Sequence, residues 1–377
     1  MSKAAELANL IGNINAGGGG VGRNLLINGA MNVAQRSTSV TGLGATAGYF
    51  GLDRWKTDFS STAGRLTLTQ DSSVPTGEGF FNSLKVACTT ADTSIAAGEQ
   101  FTIDQMIEAQ NCQVISKGTS GAKPLTLSFY CKANANATYV VELYAQDVDR
   151  RISSLFSVTT DWTRVSVTFP ADTTGEIADD NGGGIKVSWW LHAGSNYSGG
   201  TLQTTWAAAA NNTRATGGDS FFDSTSRTFF LTGCQLEVGQ NPTEFEHEPF
   251  ERTLEKCSRY YQKTKAASDS YKHFGLVFIG ADSGGTSYGT LAVPLVTTMR
   301  TVPSLETTGT VSNYALWVKN VNTALATFSV DTGIDDGTIN GQFYLNAYAS
   351  VSAGAGSCGA VRANNTADAF VALDAEL

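Results

Sequence analysis

The sequence predicts an all-β protein: a β-sandwich followed by a second, smaller β-sandwich, with a short helix ahead of both. Three observations carry this reading. The chain holds 40 Gly but only 7 Pro, and charged residues make up just 16%; such a composition suits short strands and tight turns. Short runs with period-2 alternation recur from Arg65 to Leu236, with Gly, Asn, Asp and Ser between them. The series ends in Phe229–Gln262, where Phe230, Cys234, Leu236 and Val238 alternate with mostly polar neighbours before a turn at Gly239–Pro242.

Taken in order, Ser2–Ile14 places Ala4, Leu7, Leu10, Ile11 and Ile14 at helical spacing. A helix of ~13 residues is marginal alone and needs a partner surface. Leu7, Leu10, Ile11 and Ile14 are therefore candidate attachment residues. Gly17–Gly20 follows as a flexible linker, and residues 1–22 form the first segment. In Asn24–Trp55, Leu25/Ile27 and Met31/Val33 flank Asn28-Gly29, a hairpin-type dipeptide. Trp55 is the expected anchor of the sandwich core.

Strands are expected at Arg65–Thr69, Ser83–Cys88, Leu125–Lys132, Tyr139–Tyr144, Ile152–Val158, Thr163–Phe169, Ile185–Leu191 and Thr228–Leu236. Phe101–Gln110 reads as a strand running into a helical turn. The first sandwich is thus expected over 23–250 and a connecting helix over 251–264, within the helical spacing of Glu248–Lys263. HFGLVFIG, SYGTLAVPLVTTMRTVPSLETTG, YALWVKN, GQFYLNAYASVSAG and FVALDAEL read as strands of a second sandwich over 265–377.

Composition narrows the function. A net charge of −9 with no basic patch argues against nucleic acid. No run of 18 apolar residues occurs, so no membrane insertion is expected. The first twenty residues lack the apolar core of a secretory signal, so synthesis in a cytoplasm is expected. Six scattered Cys without C-x-x-C pairs read as small buried hydrophobes, not as disulfides or metal ligands.

No catalytic constellation emerges. His192, His247 and His273 share no motif, and no serine sits in G-x-S-x-G. Asp147, Asp149, Asp179, Asp180 and Asp219 read as turn residues rather than a glycosidase pair. Asp179-Asp180-Asn181 does not match a calcium loop, and Gly17–Gly20 lacks the Lys-Ser/Thr of a phosphate loop. The expectation is no enzyme, no cofactor and no metal. The remaining candidates are Trp189, Trp190, Tyr197 and Trp206 in a Gly/Asn/Ser-rich context. Adjacent Trp189 and Trp190 on a strand face opposite ways. One enters the core; the other, beside Asn196, Tyr197 and Gln203, offers a ring and amides to a sugar. The alternative is that both pack, the second against a neighbouring subunit.

Several stretches occur together in a set order. Asn24–Arg36 reads NLLINGAMNVAQR and leads to Asp53-Arg54-Trp55. Asp161–Phe169 reads DWTRVSVTF. Gln235–Gly239 (QLEVG), Thr243–Glu246 (TEFE) and Cys257–Gln262 (CSRYYQ) follow. Together these resemble the carbohydrate-binding-module-like jelly rolls of bacteriophage tail fibre proteins. Val293–Leu305 resembles a small β-domain that often follows the RYYQ signature. The resemblance covers most of 24–263. It implies a jelly roll, a homotrimer, a place on the virion, attachment to other tail or virion proteins through the N-terminus, and host-surface polysaccharide as ligand. A purely structural virion protein (head fibre, decoration or tail adaptor) is the second reading, and a glycan-degrading enzyme the third.

Overall fold

The computed structural model describes residues 2–15, 22–265, 271–281, 287–330, 342–351 and 357–377. The chain divides into two compact units, Met1–Thr253 and Leu254–Glu376. Each has its own hydrophobic core.

The first unit begins with helix α1 (Lys3–Asn15) and then holds twelve strands: β1 (Ser39–Leu43), β2 (Lys56–Ser60), β3 (Arg65–Asp71), β4 (Ser83–Thr90), β5 (Gln100–Glu108), β6 (Leu125–Ala133), β7 (Ala137–Ala145), β8 (Arg150–Val158), β9 (Thr163–Phe169), β10 (Gly183–Ala193), β11 (Ala207–Ala208) and β12 (Thr228–Val238). A one-turn helix, α2 (Ser195–Ser198), follows β10. One sheet has the order β1-β3-β4-β12-β6-β9 and the other β11-β8-β7-β10-β5-β2, all antiparallel. From β4 onward the chain crosses to the other sheet at every step but two, β7 to β8 and the short β11 excursion. The result is β4-β12-β6-β9 facing β5-β10-β7-β8, the double Greek key of a jelly roll.

Alternation drives this packing. Leu84, Val86, Leu127, Phe129, Phe229 and Leu231 turn inward from one sheet; Phe101, Ile103, Val141, Val187 and Trp189 meet them from the other. Trp55 is buried as expected. Its ring lies 5.5 Å from that of Trp189, and its Nε1 donates to the Asn28 carbonyl at 3.1 Å. Asn28-Gly29 makes a tight turn, but no strand pair flanks it. Asn28 is left-handed (φ 58°), and its amide bonds Val33 twice and Asp53 once. At Gly29 a Cβ would sit 2.1 Å from the Cys234 carbonyl oxygen, so only glycine lets the turn approach β12.

Helix α3 (Phe250–Ser258) carries the chain into the second unit. The helix expected over 251–264 stops at Ser258, because Tyr261–Lys265 is strand β13, paired with β22. Tyr260 and Tyr261 are both buried there, and an aromatic–Thr run favours a strand. The others are β14 (His273–Ala281), β15 (Ser287–Pro294), β16 (Ser304–Thr307), β17 (Tyr314–Val318), β18 (Val321–Ala324), β19 (Thr327–Val330), β20 (Gln342–Ala349), β21 (Cys358–Ala363) and β22 (Phe370–Asp374). A three-stranded sheet, β13-β22-β16, and a seven-stranded sheet, β18-β17-β21-β14-β15-β20-β19, share a core that includes Leu291, Tyr314, Leu316, Leu345, Val361, Val371 and Leu373. This is the smaller sandwich. Among the described residues the six cysteines are free, five of them buried.

Candidate functional site

The outward face of the β5-β10-β7-β8 sheet carries the polar chemistry of the first unit. Register places Thr102, Trp190, Val140 and Leu155 in one row across it. Asp104, Ser188, Glu142 and Ser153 form the next row, and Met106, Lys186, Tyr144 and Arg151 the third. Lys56 and Asp58 extend the face from β2.

One end of this face is covered. Trp190 does point away from the core, as alternation requires, yet it is only 2% exposed. Val140, Ala215, Tyr197 and Leu202 pack around it. The Arg214 guanidinium lies 4.4 Å from its ring centre and donates to both oxygens of buried Glu142 at 2.6–3.2 Å. Burial alone would lower the pKa of Arg214; the Glu142 contacts outweigh it and raise it. The outward, sugar-stacking tryptophan expected from the sequence is therefore corrected: its faces are occupied from within the chain. Trp189 belongs to the core. Tyr197 is half-buried against Trp190, their ring centres 5.3 Å apart. Trp206 is anchored elsewhere: its Nε1 donates to the Pro170 carbonyl at 2.8 Å, and the Lys117 ammonium sits 5.5 Å from its ring centre. The four aromatics do not form one sugar platform.

The other end is half-open. Met106, Tyr144, Arg151 and Lys186 are partly exposed there, as are Lys56 and Asp58 along the β2 edge of the face. Buried Asp104 closes its inner edge, with Lys186 at 3.6 Å. Neither Asp104 oxygen has a protein hydrogen-bond partner, and the Ser188 and Ser153 hydroxyls in the same row also lack one. Buried polar groups are nearly always satisfied, so the chain leaves these oxygens to a partner that it does not itself supply, such as a water reaching them from the half-open end. Burial first, and then the Asp104 carboxylate, push the Asp58 carboxyl's pKa up against Lys56 and Lys186. Nothing in the sequence pointed to Asp104 or Ser188. The signal was two polar residues facing each other across adjacent strands, which only register reveals. A separate cleft of about 250 Å³, lined by Gln113, Ser116, Lys117, Thr119 and Glu176 among others, shares no residue with this face.

No protein-family model matches the chain, and no curated protein does. Solved structures with similarity include a family 4 carbohydrate-binding module (12% identity, TM-score 0.29), which aligns over 56% of this chain and 97% of its own. A family 61 module in complex with β-1,4-galactotriose aligns over 57% and 99% (9% identity, TM-score 0.30). The enzymatically active domain of a bacteriophage CBA120 tailspike protein aligns over 57% of this chain and 21% of its own (10% identity, TM-score 0.30). The jelly-roll assignment rests on the strand order above, not on these values.

The attachment candidates fall on α1, where Leu7 and Ile11 are 57% and 49% exposed; the side chains of Leu10 and Ile14 lie outside the described residues. His247 packs on Phe80 and Phe245, and its Nε2 bonds the Glu78 carbonyl at 3.0 Å. His192 is different: it sits between Ser220 (Nδ1 to Oγ, 2.8 Å) and Glu99 (Nε2 to Oε2, 3.0 Å). Its motif-less sequence context gave no hint of this triad-like line. Here the imidazole is wholly buried, and Ser220 Oγ accepts the Phe222 N–H at 3.1 Å. That serine is a turn cap, not a nucleophile open to substrate.

Proposed function

We propose that this chain is a non-catalytic, glycan-binding jelly-roll protein of a bacteriophage tail fibre or related virion appendage. It acts as a homotrimer, is held to the virion by its N-terminal helix, and takes host-surface polysaccharide as ligand. The observation that carries the binding site is the adjacent pair Asp104 and Ser188, buried yet without protein hydrogen-bond partners, beside half-buried Tyr144 and Lys186. Sugar hydroxyls donate and accept at once, so a carboxylate beside a hydroxyl and an ammonium is a suitable receptor. The virion setting is supported by the ordered motifs from Asn24 to Gln262. Each site would bind weakly; three copies on one fibre raise avidity through effective concentration.

The test is a glycan array of bacterial surface polysaccharides probed with the full chain, then with Asp104→Ala. Binding to a defined glycan that falls at least tenfold in the folded variant supports the site. If the wild type binds no glycan and does not compete with phage adsorption, the chain is a structural virion component instead, such as a head fibre, decoration or tail adaptor. The internal cover over Trp190 favours that second reading. Release of sugar from any tested polysaccharide would remove the non-catalytic part of the proposal.

A further inference from the structure

At one end of the jelly roll, where β5 begins and β10 ends, Asp92, Glu99 and His192 converge. One ligand-type atom of each lies within 4.8 Å of the other two, and all three residues are buried. A β-bulge makes this possible. In β10, Trp190 pairs with Thr102 but His192 pairs with Phe101, so Leu191 is the extra residue. Without it His192 would share the outward face of Trp190; with it the imidazole turns inward beside Phe101 and stacks edge-on against Phe222 at 5.3 Å. Bulges commonly re-aim a side chain in this way.

Each ligand is held by its own support. Ser220 Oγ fixes His192 Nδ1 at 2.8 Å and thereby directs Nε2 at the carboxylates. The Thr62 hydroxyl and the Ala63 N–H donate to Asp92 Oδ2 at 3.0 and 2.7 Å. The Ala96 N–H donates to Glu99 Oε1 at 2.9 Å, leaving Oε2 to face His192. An imidazole whose far nitrogen is tethered, set among supported carboxylates, is how proteins build metal centres. A second observation points the same way: among the described residues no Lys or Arg ion-pairs with Asp92 or Glu99. Two carboxylates buried together call for positive charge; the basic side chain that faces them among the described residues is His192, 3.0 Å from Glu99, and an ion held by all three would supply it.

We infer that Asp92, Glu99 and His192 form a structural site for a divalent transition-metal ion, zinc being the best match. Imidazole with carboxylate suits zinc and is foreign to calcium, which takes oxygen ligands. Bonds of about 2.0–2.2 Å in a tetrahedral arrangement separate ligand atoms by roughly 3.3–3.6 Å; Glu99 and His192 are already 3.0 Å apart, and a pair at the 4.8 Å limit of the cluster would close by roughly 1.2–1.5 Å. The fourth position falls to water or to a second carboxylate oxygen. The ion ties the connection between β4 and β5 to the end of β10.

The experiment uses the full chain, stripped with chelator and dialysed against micromolar zinc, with calcium in parallel. Expected is one zinc per chain by elemental analysis and a Tm raised by about 5–10 °C when zinc exceeds Kd a hundredfold, with no response to calcium. Glu99→Gln keeps the shape of the site and should weaken zinc binding at least tenfold; His192→Phe should abolish it. If His192→Phe does not fold, Glu99→Gln alone decides. Absence of retained zinc and of a Tm shift in the wild type overturns the inference, leaving a hydrogen-bonded cluster. So does zinc binding that Glu99→Gln leaves untouched, since the metal then sits elsewhere.

Discussion

At the scale of single residues, stability in the first unit depends on a few buried charges. Lys117 is fully occupied: its ammonium donates to the Thr174 and Gly175 carbonyls at 2.7 and 3.0 Å and pairs with Asp172 at 2.9 Å. Arg150 binds the same carboxylate through two nitrogens, at 2.8 and 3.0 Å. Burial alone would raise the Asp172 pKa, but hydrogen bonds from Arg150 and Lys117 outweigh it and hold it below the usual carboxylate range. On Lys117 burial dominates and pushes the pKa down, so the stabilising part of the network resides on the carboxylate. A depressed carboxylate pKa stabilises the fold in full above the unfolded value, about 3.9, and that share is lost as pH falls through the folded value. Asp172→Asn should therefore cost about 3–5 kcal/mol at pH 7, because it strands a buried cation. The gap from wild type should narrow below about pH 4. Urea unfolding at the two pH values reads both. Arg214→Ala makes a parallel case: it strands Glu142 and bares Trp190. It should destabilise by a similar ~3–5 kcal/mol and increase the tryptophan emission quenched by iodide.

At the scale of elements, the sequence was most legible where alternation involved large side chains. The runs in β3, β4, β6–β10 and β12 place mostly apolar residues, many of them large, at alternate positions, and a sheet with one buried face demands that pattern. The strands β1 (SVTGL), β2 (KTDFS) and β21 (CGAVRA) were not legible. Their inward residues are few or small, so the period leaves little trace. For the candidate sites, alternation sent one of Trp189 and Trp190 outward; it is Trp190, but Arg214 covers it from a distant loop. His192 was hidden because a bulge inverts the alternation one residue after Trp190. Strand β12 carries a second register shift, between Thr232 and Gln235, at left-handed Gly233 (φ 60°). A Cβ there would lie 2.6 Å from the Phe80 ring and 2.9 Å from that of Tyr130. Gly77 is also left-handed (φ 84°) but has open space around it. Gly77→Ala should cost about 1 kcal/mol, the conformational penalty alone. Gly233→Ala should cost about 2–4 kcal/mol, since overpacking adds to it. Equal losses in denaturant unfolding would mean that β12 shifts freely at its bulge, contrary to its place between β4 and β6.

At the scale of the whole molecule, the surface favours self-association. Charged residues are 16% of the chain, against roughly 25% for an average soluble domain. Large apolar side chains stand out on both units: Phe81 is 78% exposed in the first and Leu276 79% in the second, where Val296, Val302 and Val321 are also exposed. Exposed aliphatics scattered singly are ordinary; here they stand on a chain with few charged residues, though its net charge of −9 works against close approach of copies. The proposed trimer would cover such groups, and with a net charge of −9 per chain salt should screen the repulsion between copies and leave the trimer at least as stable at high ionic strength. Light scattering on the purified chain should give three times 39.7 kDa, about 119 kDa, at both low and high ionic strength. Leu276→Glu should shift the mass toward one chain if that face lies in the contact. Removing residues 1–22 should leave the trimer intact yet prevent incorporation into virions, because α1, with Leu7 and Ile11 outward, is assigned to attachment and not to trimerisation. A single-chain mass at micromolar concentration would separate the glycan-binding site from any fibre and end the avidity argument.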